Sequence, residues 1–465
     1  MRLSRWIAAG ILSLPGAFAA LSAPDFTNKD SISQTAAEVA KDLLSFYKGE
    51  DPGWVFAIGI LPGPPPDGDY FWWIGGAMWG TLLDYRRQTG DTQYDKIITR
   101  ALVEQSGEKK DFMPANWTAT MGNDDQGFWA MTAMLAAETN FPPPPAEANL
   151  DWLALVQAVF NEQTMLERRV NIPNSNCNGG LRWQAFSINN GFDYINTISN
   201  GIYFNLGARL ARYTGNDTYA EYAEKTYELL ERLKYIDEEG NVHDGAHLPE
   251  NCLDVNKLQF SYNAAVMIQG AAYMYDITNQ SQKWKGRLDL LVDRSLSVFF
   301  PGGIAYEYAC EGVGSCNVDM RSFKGYLHRW VSQATVLAPH LKDRVMTVFE
   351  SSARAGVAAC NRGDNGQLCG FEWTQNGGAQ SPKQTSAVHQ MNVLGALTGL
   401  MMKEAEPPVT NATGGTSKGD AGGGNSLPNL RAMREITAAD RAGAGILTSL
   451  VLAGFLGSCV WISLN

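Results

Sequence analysis

Apolar positions recur along most of the chain at i, i+3, i+4 and i+7, the stripe that an amphipathic helix buries. Twelve segments carry it: Ser31 to Phe46, Gly75 to Arg87, Tyr94 to Gln105, Asp125 to Glu138, Leu150 to Arg168, Asn200 to Tyr213, Thr218 to Tyr235, Tyr262 to Tyr275, Lys283 to Phe299, Phe323 to Ala338, Leu341 to Cys360 and Ser386 to Met402. Breakers such as Pro142-Pro143-Pro144-Pro145, Pro301-Gly302-Gly303 and Gly363 separate them, and strand-like alternation is scarce. A weak repeat pairs the helices. Tyr85…Thr89-Gly90-Asp91…Tyr94 resembles Tyr213-Thr214-Gly215-Asn216-Asp217…Tyr219, and Tyr275-Asp276-Ile277-Thr278-Asn279 echoes both. Each copy ends one helix and opens the next, at spacings near multiples of about 60 residues. Twelve helices in this arrangement predict an all-α fold, an (α/α)6 barrel of six helical hairpins, with an open α-solenoid as the alternative.

At both ends the pattern changes. Residues 1–23 carry Arg2 and Arg5, an apolar run from Trp6 to Leu14 and small-residue exits at Ala17-Phe18-Ala19 or Leu21-Ser22-Ala23, which reads as a signal peptide. From Ala442 to Leu464 the chain is almost uninterruptedly apolar, and only Asn465 follows. Upstream lie Gly-Gly-Gly-Asn-Ser at 422–426 and a polar spacer with Arg431, Arg434 and Arg441. Together these predict a GPI-attachment propeptide over 426–465, with a plain membrane-spanning tail as the alternative. The Pro, Gly, Ser, Thr and Lys of 404–425 predict a flexible stalk, leaving 24–403 for the barrel. The expected location is secreted, on the outer face of the plasma membrane through the anchor.

Cysteine usage fits that compartment. Of 7 cysteines one, Cys459, lies in the tail, leaving Cys177, Cys252, Cys310, Cys316, Cys360 and Cys369 for up to three disulfides. Among the pairings open to six cysteines the short loops Cys310–Cys316 and Cys360–Cys369 are favoured, with Cys177–Cys252 left over. Asn116, Asn216, Asn279 and Asn411 open glycosylation sequons. A net charge of -11 and a pI near 5.1 exclude nucleic acid and anionic lipid as natural partners, and 11% aromatics suit a neutral glycan better.

The candidate chemistry sits in Met121-Gly122-Asn123-Asp124-Asp125-Gln126-Gly127-Phe128-Trp129. Asn123 as N-cap with Gln126 three residues on reads as an amide capping box, so Asp124 and Asp125 fall in the first helical turn. Adjacent positions hold two carboxylates near the ~5–5.5 Å spacing of a retaining glycosidase. The helix start favours the anion, while repulsion and burial raise one pKa, so that one carboxylate attacks and the other donates a proton. Taken alone, Asp-Asp here is also ordinary helix-start chemistry. Gly127 inside the helix implies a close approach to its backbone, and Phe128, Trp129 and Trp117 add aromatic surface. His243 and His247, with Asp244 between them, have metal-like spacing but lack a third ligand and a firm helix; no metal and no cofactor are expected. Nothing resembles a phosphate-binding loop, a dinucleotide fingerprint or a serine-hydrolase elbow.

The Met-Gly-Asn-Asp-Asp-Gln stretch, Asp69-Tyr70-Phe71-Trp72-Trp73…Gly-Ala-Met-Trp-Gly at 76–80, Asn196-Thr197-Ile198-Ser199-Asn200-Gly201, Phe323-Lys324-Gly325 and Gln390-Met391-Asn392 together resemble glycoside hydrolase family 76, the endo-α-1,6-mannanases. With the two terminal signals, the chain is similar to the fungal cell-wall branch of that family, proposed to move GPI-linked mannoproteins onto wall glucan. The resemblance spans about residues 30–402. It implies an (α/α)6 barrel, retaining chemistry at α-1,6-mannose in mannan or a GPI-glycan core, a possible glucan acceptor, Asp124 as nucleophile and Asp125 as acid/base. Asp69, Trp72, Trp73, Asn123, Asn189, Asn190, Asn196, Asn200, Lys324 and Trp373 are candidate sugar-binding groups; each alone equally suits a helix cap or the core. The alternative in another class is a catalytically silent glycan-binding wall protein on the same barrel.

Overall fold

The structure, a computed structural model, describes residues 21–53, 58–374, 384–424 and Thr448. Residues 1–20 of the expected signal peptide and, Thr448 apart, the expected propeptide lie outside the described residues. Among the described residues no helix is long and apolar enough to cross a membrane. The helices are α1 Lys29–Leu44, α2 Trp72–Thr89, α3 Asp95–Gln105, the single turn α4 Ala115–Thr118, α5 Asn123–Glu138, α6 Trp152–Thr164, α7 Thr197–Thr214, α8 Asp217–Arg232, α9 Ser261–Ile277, α10 Gln282–Phe299, α11 Phe323–Leu337, α12 Lys342–Ala358 and α13 Ala387–Met401.

Helices α2, α5, α7, α9, α11 and α13 pack side by side in that order and close, α13 against α2, into a ring. The other long helices lie outside it, as α8 does on α7 and α10 on α9. This is the (α/α)6 barrel, closed and not a solenoid. The amino-acid pattern explains which helix goes where. On α13 every residue from Ala387 to Met401 is buried, as an inner helix needs on all sides. On α8 only Tyr219, Ala223, Thr226, Tyr227, Leu229 and Leu230 are buried, one stripe facing the ring. Gly127 is explained by this packing: a Cβ there would lie 2.6 Å from Cγ2 of Ile202 on α7.

The repeat read from the sequence marks the turns from inner to outer helix. Gly90 (φ 74°) and Gly215 (φ 72°) cap α2 and α7 in the left-handed region. Just before each turn a threonine hydroxyl donates to a carbonyl four residues back, Thr89 to Tyr85, Thr214 to Leu210 and Thr278 to Met274. Longer connections precede the inner helices at the opposite end. They hold the antiparallel ribbon of β1 Tyr194–Asn196 with β2 Gly245–His247 and the disulfides Cys177–Cys252 and Cys310–Cys316. Cys360–Cys369 joins β3 Cys360–Arg362 to β4 Leu368–Cys369. The three favoured pairings are the ones formed. Asn116, Asn216, Asn279 and Asn411 are all exposed.

The segment expected to be a free stalk behaves otherwise through residue 424. Val409 N–H donates to Glu138 O (2.9 Å), Asn411 N–H to Tyr213 O (3.0 Å) and Arg212 Nη1 to Pro408 O (2.6 Å), which lays the segment across the ends of α5 and α7. It then follows α6, with Lys418 and Gly419 N–H on the Asp151 carboxylate and Asn161 Nδ2 on Gly423 O. These contacts use backbone groups, so a composition poor in large apolar side chains conceals them. A chain ended at Glu404 is expected to melt about 5 °C lower in a thermal scan, several bonds of ~1 kcal/mol each being lost at roughly 2 °C per kcal/mol. An unchanged midpoint would mean that the segment adds nothing to the barrel.

Candidate active site

Because inner and outer helices alternate in direction, the six inner helices all begin at one end, and their positive dipole ends converge there on a common mouth. Below it the axis is filled. Phe128, Tyr326 and Trp330 stack across it, and beneath them lie the buried pairs Arg329–Asp84 and Arg209–Glu138, each 2.6 Å. The mouth is a blind depression.

Helix α5 starts one residue earlier than the sequence suggested. Gly122 is its N-cap, and the Asp125 carboxylate makes the return half of a capping box by accepting the Gly122 N–H at 2.7 Å. Asn123 and Gln126 are drawn elsewhere by buried partners. Asn123 Nδ2 donates to Arg182 O and its Oδ1 accepts from Arg168 Nη1, both at 2.9 Å, while Gln126 Nε2 donates to Asp111 O and Glu162 Oε2. The Asn123 N–H goes to Trp183 O (2.8 Å), so the 183–185 connection lies beside the helix start. Asn123 therefore positions the pair and offers no free group to a sugar.

Asp124 Oδ1 accepts the Asp125 N–H (3.1 Å), and the Trp183 side chain also donates to the Asp124 carboxylate. A Cβ on Gly122 would stand 2.2 Å from Asp124 Oδ1 and 3.2 Å from Asp125 Oδ2. The two oxygens are thus separated by no more than those two lengths together, close enough for both carboxyls to reach one glycosidic bond. Gly122→Ala is expected to leave the protein folded and cut kcat by about 10²-fold, since displacing a reacting group by ~1 Å costs that much. Wild-type kcat with the fold intact would mean that the pair tolerates the shift.

Burial raises both carboxyls. Asp124 goes well above the usual range, with the Asp125 charge as the second cause; Asp125 rises to about 7, with the Asp319 charge adding to burial. Two carboxylates so placed cannot both ionise, so they hold one proton between them near neutrality. The two N–H donors on Asp124 favour the anion there, against the effect of burial. Other groups gather round. Asp319, ahead of α11, takes the Trp73 indole N–H and is itself raised to about 6 by burial. Tyr262 stacks on Phe323 at 3.7 Å and is raised by burial and the charges of Asp244, Asp124 and Asp319. Asp244 accepts the Tyr194 hydroxyl at 2.7 Å.

Of the remaining candidates, Trp73 stands at the mouth, its ring 4.4 Å from Phe128. Asp69 and Asn190 are exposed on mouth loops, and Asn189 donates to Gln184 Oε1 in the same loop as Asn190. The others do structural work. Trp72 donates to Gln105 Oε1 and stacks on Trp129. Asn196 caps α7, and Asn200 holds both backbone groups of Leu181. Lys324 is fully buried against Glu311 (2.7 Å) and Phe371 O (2.8 Å), and Trp373 packs on Gly356 and His328. His243 and His247 face different carboxylates, Asp237 and Asp193. Sequence reasoning missed Trp183, Tyr194, Tyr262 and Asp319, none of which stands in a motif, and met Asp244 only as a neighbour of the histidines.

Residues 31–412 match the family described as Glycosyl hydrolase family 76. The mannan endo-1,6-alpha-mannosidase DFG5 of Saccharomyces cerevisiae is 36% identical, over 94% of this chain and 93% of its own length. The crystal structure of Dfg5 from Chaetomium thermophilum in complex with glucosamine superposes with a TM-score of 0.83 at 47% identity, covering 88% of this chain and 99% of that one. An inactive variant of an alpha-1,6-mannanase of Salegentibacter, in complex with alpha-1,6-mannotriose, superposes at 0.62 with 17% identity over 80% of this chain and 100% of that one, a likeness of fold.

Proposed function

This chain belongs to glycoside hydrolase family 76, and we propose that it cleaves α-1,6-mannosidic bonds by double displacement, with Asp124 as nucleophile and Asp125 as acid/base. The relatives at 36–38% identity that cover most of the chain carry the name mannan endo-1,6-alpha-mannosidase, and endo-1,6-α-mannosidase activity on mannan is the activity they support. The single observation that carries the mechanism is the partly buried pair of adjacent carboxyls at the start of α5. Asp124 attacks the anomeric carbon as Asp125 gives its proton to the departing glycosidic oxygen. Asp125 then takes a proton from the incoming hydroxyl, whose oxygen displaces Asp124. The six helix starts around the mouth favour the anionic carboxylate that each half-reaction regenerates.

In our reading the incoming hydroxyl belongs to a sugar, so that a mannose-bearing GPI-glycan or mannan is transferred to wall glucan. We further propose that a GPI anchor, attached in place of the C-terminal propeptide, holds the protein at the outer face of the membrane. The half-buried mouth with its aromatic wall, suited to holding a sugar in place of free water, supports transfer. A silent glycan-binding protein would have no use for two buried carboxyls that share one proton. Incubation with an α-1,6-mannan donor and a glucan oligosaccharide is expected to yield a mannose–glucan junction product. Reducing mannose ends with no junction product would leave hydrolysis alone.

The pH dependence follows from the acid's role. Asp125 must carry its proton when the leaving group departs, so kcat/KM for a natural glycoside is expected to fall as pH rises through about 7. A flat profile to pH 9 would exclude Asp125 as the acid.

A further inference from the structure

Asp319 lies in the connection ahead of α11, where its carbonyl accepts from the Ser322 N–H and hydroxyl to open the helix, and no motif surrounds it. One carboxylate oxygen takes the Trp73 indole N–H, while Oδ1 is buried without a hydrogen-bond partner. Trp73 is held for that contact between Phe128 and Tyr326, at 4.4 and 6.1 Å, and Phe128 stands one turn below the aspartate pair on α5. The contact therefore bridges α2, α5 and the loop ahead of α11 at the mouth.

A buried carboxylate ordinarily recruits a cation. Those of the surrounding elements are engaged elsewhere: Lys324 with Glu311, Arg321 with Glu372, Arg168 with Glu162 and Asn123, and Arg182 over the Phe192 ring. The titratable groups around the pair are Asp319 ahead of α11, whose charge reaches Asp125, and Tyr262 at the start of α9, which feels Asp124 as well as Asp244, Asp319 and Glu307. Asp319 is thus a third acid, brought to the pair by a separate element and, among the described residues, left without a counter-ion.

We propose that Asp319 is a positioning residue of the reaction: its negative charge, present near neutrality, lies close to Asp125 and keeps the proton on Asp125 until the leaving oxygen takes it. It likewise makes Asp125 a stronger base towards the acceptor hydroxyl. No bond to Asp319 forms or breaks. The proton passes from Asp125 to the glycosidic oxygen in the first half-reaction and from the acceptor to Asp125 in the second. The inference rests on the reading of Asp125 as acid/base.

Asp319→Asn keeps the volume and an oxygen for Trp73 but removes the charge. The alkaline limb of kcat/KM is expected to move to lower pH by about one unit, with kcat reduced near neutrality and KM little changed. An aryl mannoside whose phenol leaves without protonation should show no loss in the first step. Trp73→Phe, which removes the donor and weakens the charge on Asp319, should shift the limb the same way by less, and serves if Asp319→Asn does not fold. An unmoved limb with only KM raised would overturn the proposal and make Asp319 a sugar-binding group. Failure of the underlying reading looks different: the limb would then persist in Asp125→Ala.

Discussion

Asp124→Ala is expected to lose activity by roughly 10⁴-fold or more on every mannoside, natural or activated, because no glycosyl-enzyme can form without the attacking oxygen. Asp125→Ala should separate substrates instead. Loss of the general acid costs about 10² to 10⁴ on a natural glycoside, whereas an activated aryl mannoside still glycosylates Asp124 at near the normal rate. Neither variant should unfold. Asp124 contributes to the helix start mainly through the dipole, about 0.3–1 kcal/mol, and Asp125 adds its cap to the Gly122 N–H, worth ~1 kcal/mol. Measuring kcat/KM of both variants on a natural and an aryl substrate checks this. Equal losses for Asp125→Ala on both substrates would remove its role as acid.

The second large effect is on stability. Lys324 and Glu311 are both fully buried and 2.7 Å apart, with the ammonium also donating to Phe371 O. Lys324→Met would leave the Glu311 carboxylate buried without its partner, a cost of about 3–5 kcal/mol. Chemical denaturation should show that loss, while the folded fraction keeps wild-type KM. Adding Glu311→Gln should recover much of it, since the orphaned charge and not the missing lysine is what destabilises. A raised KM at unchanged stability would return Lys324 to the sugar-binding groups.

Lys324 also illustrates how far the sequence could be read. A lysine at the start of a helix beside Gly325 looks like a ligand-binding group, and only the neighbouring loop, which brings Glu311 to it, makes it an internal ion pair. The barrel was legible because it is written in local periodicity: inner helices such as α13 are apolar all round, outer ones such as α8 on one stripe, and the Thr-Gly turns mark the hairpins. The aspartate pair was legible because both members are adjacent in the chain. The rest of the mouth was not. Asp319, Asp244 and Trp183 come from three different connections and Tyr262 from the start of α9, and no spacing joins them until the ring closes. The start of α5 slipped by one residue for a similar reason. Asn123 and Gln126 are good cap residues, but Arg168, Glu162 and the carbonyls of Asp111 and Arg182 claim their amides. The segment after Glu404 escaped because it is held by backbone bonds.

The account turns on which carboxylate becomes covalently bound to the sugar. Trapping the intermediate with a 2-fluoromannosyl donor bearing a good leaving group, followed by peptide mass spectrometry and an NMR reading of the product's anomeric configuration, tests this directly. Label on Asp124 with a retained α configuration is the predicted result; label on Asp125, or an inverted product with no adduct, would contradict it.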